Sequence, residues 1–107
     1  MRERLRHPKA GAADLGARRE AAEELAIAAL GFIAGDDERL GAFLALTGIA
    51  PESLRTAARE PNFLLGVLDH LASDEALLIA FAQARDTDPA GIIAARDALA
   101  RAMPQVP

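Results

Sequence analysis

The chain of 107 residues carries 12 basic and 16 acidic side chains, a formal net charge of −4, and no cysteine, tryptophan or tyrosine. A chain of this length holds one hydrophobic core, and the missing thiols exclude disulfides, thiolate nucleophiles and zinc centres of the cysteine type. Half of the residues are hydrophobic, but 26 of those are alanine, and valine occurs only twice and threonine three times, so the composition favours helices over strands.

Charge is unevenly spread. Residues 1–20 carry a net +3 and residues 21–107 a net −7. The opening MRERLRHPKAGAADLGA mixes charge, glycine and proline without an apolar period, and reads as a basic, disordered arm over residues 1–17. The ordered helical domain is expected over residues 18–103, with residues 104–107 as a short tail.

A first helix is predicted from Arg18, with acidic residues in its early turns, Leu25, Ile27, Leu30 and Ile33 as its apolar positions, and Gly35 closing it in the left-handed conformation. Its second half is apolar nearly all round, which predicts a central place in the core. Asp36 is placed to cap a second helix with Leu40, Phe43, Leu44 and Leu46 or Thr47 as its stripe. Gly48 ends that helix, and Ile49 can fold back on its last turn.

Pro51 suits the first position of a short third helix, PESLRTAARE, which Pro61 interrupts. A fourth helix follows with Phe63, Leu64, Val67, Leu68 and Leu71 on one face. Ser73 or Asp74 caps a fifth, buried through Leu77, Leu78 and Phe81. Asp88 and Pro89 open a sixth with a seam through Ile92, Leu99 and Met103, and Pro104 and Pro107 stop it. The fold class is therefore all-α, a compact bundle of about six short helices.

Sliding the chain by 38 residues places Leu30, Asp36, Leu40, Phe43 and Pro51 on Leu68, Asp74, Leu78, Phe81 and Pro89. One reading is two pseudo-repeated three-helix units, residues 20–60 and 62–102. The other is two helical hairpins that reuse the same capping chemistry.

The order of FLALTGIAPESLR, FLLGVLDHLASDEALLIAFA and DPAGIIAARDAL resembles an alphaproteobacterial family of short proteins described as domain of unknown function 3572, over about residues 20–102. The resemblance implies an all-helical bacterial cytoplasmic protein and assigns no activity. The chain departs from the family's pattern in its longer basic arm and in His70, where a phenylalanine is usual.

The carboxylates Asp36, Asp37, Glu38, Asp74 and Glu75 could serve as acid/base pairs or hard-cation ligands, but their positions at helix starts suit capping and the positive end of the helix dipole. No twelve-residue calcium loop is present. His70, beside Asp69 and four residues before Asp74, offers two ligands of a metal site or an oriented base. Two ligands are too few, and the expected role is a histidine at the edge of the core bonded to a neighbouring carboxylate. No phosphate loop or nucleophile elbow occurs, and the two serines, Ser53 and Ser73, fit helix starts.

Residues 43–60 also resemble a helix-turn-helix, with Gly48 in the turn and Ser53, Arg55, Thr56 and Arg59 available on the second helix. Glu52, Glu60 and the acidic body count against DNA, whose affinity rests on phosphate neutralisation, although Arg2, Arg4, Arg6 and Lys9 could track a backbone. Phe32 is the one phenylalanine expected off the core face, where it would add to an apolar patch.

These features predict a non-enzymatic protein–protein interaction or adaptor module, binding itself or another protein, with Phe32, Arg55, Arg59 and His70 as candidate contacts. A DNA-associated regulator using residues 43–60 is the alternative, and an enzyme acting through Asp69, His70 and Asp74 is a third. No cofactor, metal or small-molecule substrate is expected. The longest apolar run, Leu25–Ala34, is about half a membrane span, so no membrane partner is expected either and the chain reads as cytoplasmic.

Overall fold

The computed structural model describes residues 10–103, with side chains from Leu15 onward. The first nine residues of the expected arm and residues 104–107, with the stop ascribed to Pro104 and Pro107, lie outside the described residues. Among the described residues six α-helices follow in order: α1 (Ala10–Ala34), α2 (Asp37–Thr47), α3 (Leu54–Ala57), α4 (Pro61–Ala72), α5 (Glu75–Ala84) and α6 (Pro89–Ala102), with a 3-10 turn at Pro51–Ser53 before α3. No strand occurs among the described residues.

Helices α1, α4 and α6 pack against one another, α2 lies on α1, and α5 bridges α4 and α6. The buried face of α1 is Ala22, Ala26, Ala29, Leu30 and Ile33. Those positions recur at i, i+4, i+7, i+8 and i+11, one stripe of a helix. Because three of the five are alanines, the neighbouring helices can come close to its backbone, and their larger side chains fill the space. Leu64, Val67, Leu68 and Leu71 come from α4, Phe43 from α2, Leu77 and Phe81 from α5, and Ile92 and Leu99 from α6. No polar or charged residue is buried among the described residues, so the interior carries no desolvation cost beyond its paired backbone.

The central place expected for α1 holds, but one of its expected seam residues does not. Ile27 is 49% exposed, because the partner helices approach the alanine face. Helix α1 also begins at Ala10 rather than at Arg18. Its early turns lie along the end of α6, where Leu15 and Arg18 share a cleft with Ala98, Arg101 and Ala102, and such tertiary contact stabilises helix that local sequence alone would not hold.

Capping follows local chemistry closely. The Asp36 carboxylate accepts from the Glu38 and Arg39 N–H groups at 2.9 and 3.1 Å, Asp74 accepts from Leu77 N–H at 3.1 Å, and Asp88 from Ala90 N–H at 2.9 Å. Between Ser73 and Asp74 the aspartate is the cap, and the Ser73 hydroxyl donates instead to the His70 carbonyl. Gly48 ends α2 at φ 73°, its N–H donating to Leu44 O, while Leu46, one of the two residues offered for the end of the α2 stripe, is 74% exposed.

Gly35, expected to be left-handed, is not among the positive-φ residues. Its N–H donates to Gly31 O and Phe32 O, and the Asp36 N–H donates to Ile33 O, so a tightened last turn satisfies the carbonyls without a change of hand. The left-handed position that sequence did not announce is Asp86, at φ 54°. It ends α5 in a Schellman motif, with Asp86 N–H donating to Gln83 O and Thr87 N–H to Ala82 O. The third helix is shorter than PESLRTAARE suggests, a 3-10 turn followed by a single α-helical turn.

Positions 38 residues apart share several roles. Asp36 and Asp74 are both caps, Phe43 and Phe81 are both buried, and Pro51 and Pro89 both begin a helical segment. The third helices differ, since α6 packs on α1, α4 and α5 whereas α3 is one turn beside its own 3-10 segment. Both stretches contribute to one core.

Two glycines and one aspartate test this account in urea unfolding. Gly48→Ala is expected to cost about 1 kcal/mol, the penalty of an L side chain in the left-handed region. Asp86→Gly is expected to add about 0.5–1 kcal/mol by relieving the same penalty. Gly66 lies in the middle of α4, and a methyl group there would meet no atom within 4 Å, so Gly66→Ala is expected to add about 0.5–1 kcal/mol of helix propensity.

Candidate interaction surface

A groove of about 590 Å³ runs along the seam of α1 and α6. Gly91, Ala94, Ala95, Ala98 and Ala102 of α6 recur at i, i+3, i+4, i+7 and i+11, so small side chains occupy one face of that helix. Ala21, Ala22 and Leu25 supply the α1 wall. Because this face of α6 has little side chain, its backbone cylinder forms the floor, and the longer side chains at the edges become the rim. Arg18, Arg85 and Arg101 stand on that rim, and Glu24 is the one acid among its described lining residues. The cleft holding Leu15, Arg18, Ala98, Arg101 and Ala102 continues the groove past the end of α6.

The rim arginines are placed by different means. Arg101 lies in the last turn of α6, where a cation also favours the negative end of the helix dipole. Arg85 follows the end of α5, with its guanidinium 5.8 Å from the centroid of the Phe81 ring. Arg96, on the same helix, is committed elsewhere: its Nε donates to Asp69 Oδ1 of α4 at 2.5 Å and its Nη1 to Asp97 Oδ1 at 2.9 Å. The hydrogen bond to Asp69, reinforced by that to Asp97, raises the Arg96 guanidinium above its ordinary value.

The residues singled out from sequence do not converge. Phe32 is half-buried, its ring 5.4 Å from Phe81 and capped by the Arg39 guanidinium at 4.6 Å. It therefore packs against the core, and the exposed large apolar residues among those described are Leu15, Ile27, Leu46 and Ile79 instead. Arg55 and Arg59 are exposed, one on the single turn of α3 and the other in the turn after it.

His70 lies in a smaller groove of about 320 Å³ with Glu38, Arg39, Ala42, Leu46, Asp74 and Leu77. The carboxylate bond expected for its ring is not formed, because Asp69 is taken by Arg96 and Asp74 by the cap of α5. The ring instead sits edge-on to Phe43, centroids 5.2 Å apart. No cluster of three or more metal-ligating side chains occurs among the described residues, and no helix there is long and apolar enough to cross a membrane.

The alanine face of α6 escaped the sequence reading, although its signal is plain in hindsight. Small residues repeat there at helical spacing, as large ones do in a core stripe. The arginines around it come from three distant stretches of chain and carry no joint signature.

His70→Phe is expected to fold and to hold stability within about 1 kcal/mol of the parent, since the ring contact with Phe43 is aromatic and no ring hydrogen bond is lost. Thermal unfolding checks it, and a large loss would reveal a polar partner of the imidazole.

Comparison with curated proteins and with solved structures gives no match. The family model for "Protein of unknown function (DUF3572)" matches residues 19–102, which takes in the buried core, His70 and the groove apart from Leu15 and Arg18. The chain belongs to the DUF3572 family.

Proposed function

We propose that this protein is a non-enzymatic interaction module whose binding surface is the α1/α6 groove. The observation that carries the reading is an open trough with an alanine floor and an arginine rim on a chain of net negative charge. Contiguous small and apolar surface bordered by charge is how a docking face differs from ordinary solvated surface. Four carboxylates elsewhere have structural occupations: Asp36, Asp74 and Asp88 cap helices, and Asp69 ties α4 to α6.

The helix-turn-helix reading of residues 43–60 is less well supported by this geometry. A recognition helix needs several turns to present side chains along a groove, and α3 offers one.

Ala94 is exposed on the groove floor, so Ala94→Trp should fill the trough without disturbing the core. Affinity capture from the cell of origin, with the parent and this variant side by side, is expected to recover at least one protein with the parent and lose it with the variant. An identical set of recovered proteins would remove the groove from the function.

A further inference from the structure

Building on the interaction-module reading, we infer that the α1/α6 groove receives an amphipathic helix of a partner protein whose apolar stripe is flanked by carboxylates. The floor offers methyl groups and helix backbone already paired within α1 and α6, with no sheet edge and no row of polar side chains. An extended peptide laid there would leave its own N–H and C=O groups without protein partners, at the cost of unmade hydrogen bonds. A helix satisfies those groups internally and can present an i, i+3, i+4, i+7 stripe to the alanines, which permit close approach of the axes.

Length agrees with this. Gly91 to Ala102 spans about 16 Å of helix axis at 1.5 Å per residue, enough for about three turns of a partner.

Charge chooses the partner's composition. Arg101 stands at one end of the trough and Arg85 at the other, with Glu24 as the acid among the described lining residues, although the whole chain is acidic. Complementary potentials of this kind set specificity and association rate. The chain's own residues 1–9 are predominantly basic and do not complement the rim. A second copy related by a two-fold axis through the groove would set the same arginines against themselves, since such an interface pairs each surface with its own likeness.

The test is selection from a displayed library of random peptides of about 16 residues, long enough to cover the trough as helix. The expected winners carry apolar residues at i, i+3, i+4 and i+7 with Asp or Glu beside them. Their binding should fall about tenfold or more in the double reversal Arg85→Glu with Arg101→Glu. Both substitutions lie on exposed side chains, and an unchanged circular dichroism spectrum confirms folding. Ala94→Trp should abolish binding while leaving the rim intact.

Winners that are basic or lack a helical period would overturn the inference, as would binding indifferent to the charge reversal. If that happens while affinity capture still loses a protein with Ala94→Trp, the acidic-helix inference fails and the groove stands as the binding surface. If neither assay depends on Ala94, both fail. A dimer in equilibrium sedimentation that Ala94→Trp dissociates would replace the helix with a second copy.

Discussion

Close approach of α1 to α4 and α6 is the constraint on which this fold depends. Ala22, Ala26 and Ala29 are fully or almost fully buried, yet alanine contributes little apolar area. Their value is geometric, because they let α4 and α6 approach a helix that has no bulk to exclude them, in a core shared with Leu68, Leu71, Ile92 and Leu99. A larger side chain on that face would push the neighbours apart, and overpacking of a filled core is itself destabilising. The same economy operates on the outer side of the α1/α6 seam, where the small-residue face of α6 leaves a trough.

Much of the fold is legible in sequence because it is written in short-range chemistry. Asp36, Asp74, Asp88 with Pro89, and Gly48 act through hydrogen bonds and backbone angles within a few residues, and each sits where local reading puts it. The stripe on α4 is equally direct, since Leu64, Val67, Leu68 and Leu71 are large and evenly spaced. Reading weakens where two local solutions compete. Gly35 could have ended α1 left-handed, but hydrogen bonds to Gly31, Phe32 and Ile33 do so without it. Asp86 adopts the conformation that glycine usually supplies.

Elsewhere the decisive information is tertiary. A hydrophobicity stripe on α1 selects Ile27 because it is large, whereas the packing selects the alanines because they are small. Phe32 looked outward on a helical wheel, but Phe81 and Arg39 arrive from α5 and α2 to cover it. The groove is the extreme case, since Arg18, Arg85 and Arg101 become neighbours of one trough only once α1 and α6 lie side by side. A surface assembled from α1 and α6, far apart in sequence, leaves no contiguous motif to find.

The pairing of α1 with α6 also bears on how the molecule comes into being. A ribosome delivers α1 well before α6, and domains fold from the N-terminal side as they emerge. Until Pro89–Ala102 has left the exit tunnel, α1 lacks the most extensive of its partners, and the core cannot close around Ile92 and Leu99. Folding is thereby tied to the synthesis of α6. A product cut short after α5 would retain capped helices but no finished interior, and its exposed Leu68 and Leu71 would present it to the chaperones and proteases that handle incomplete proteins.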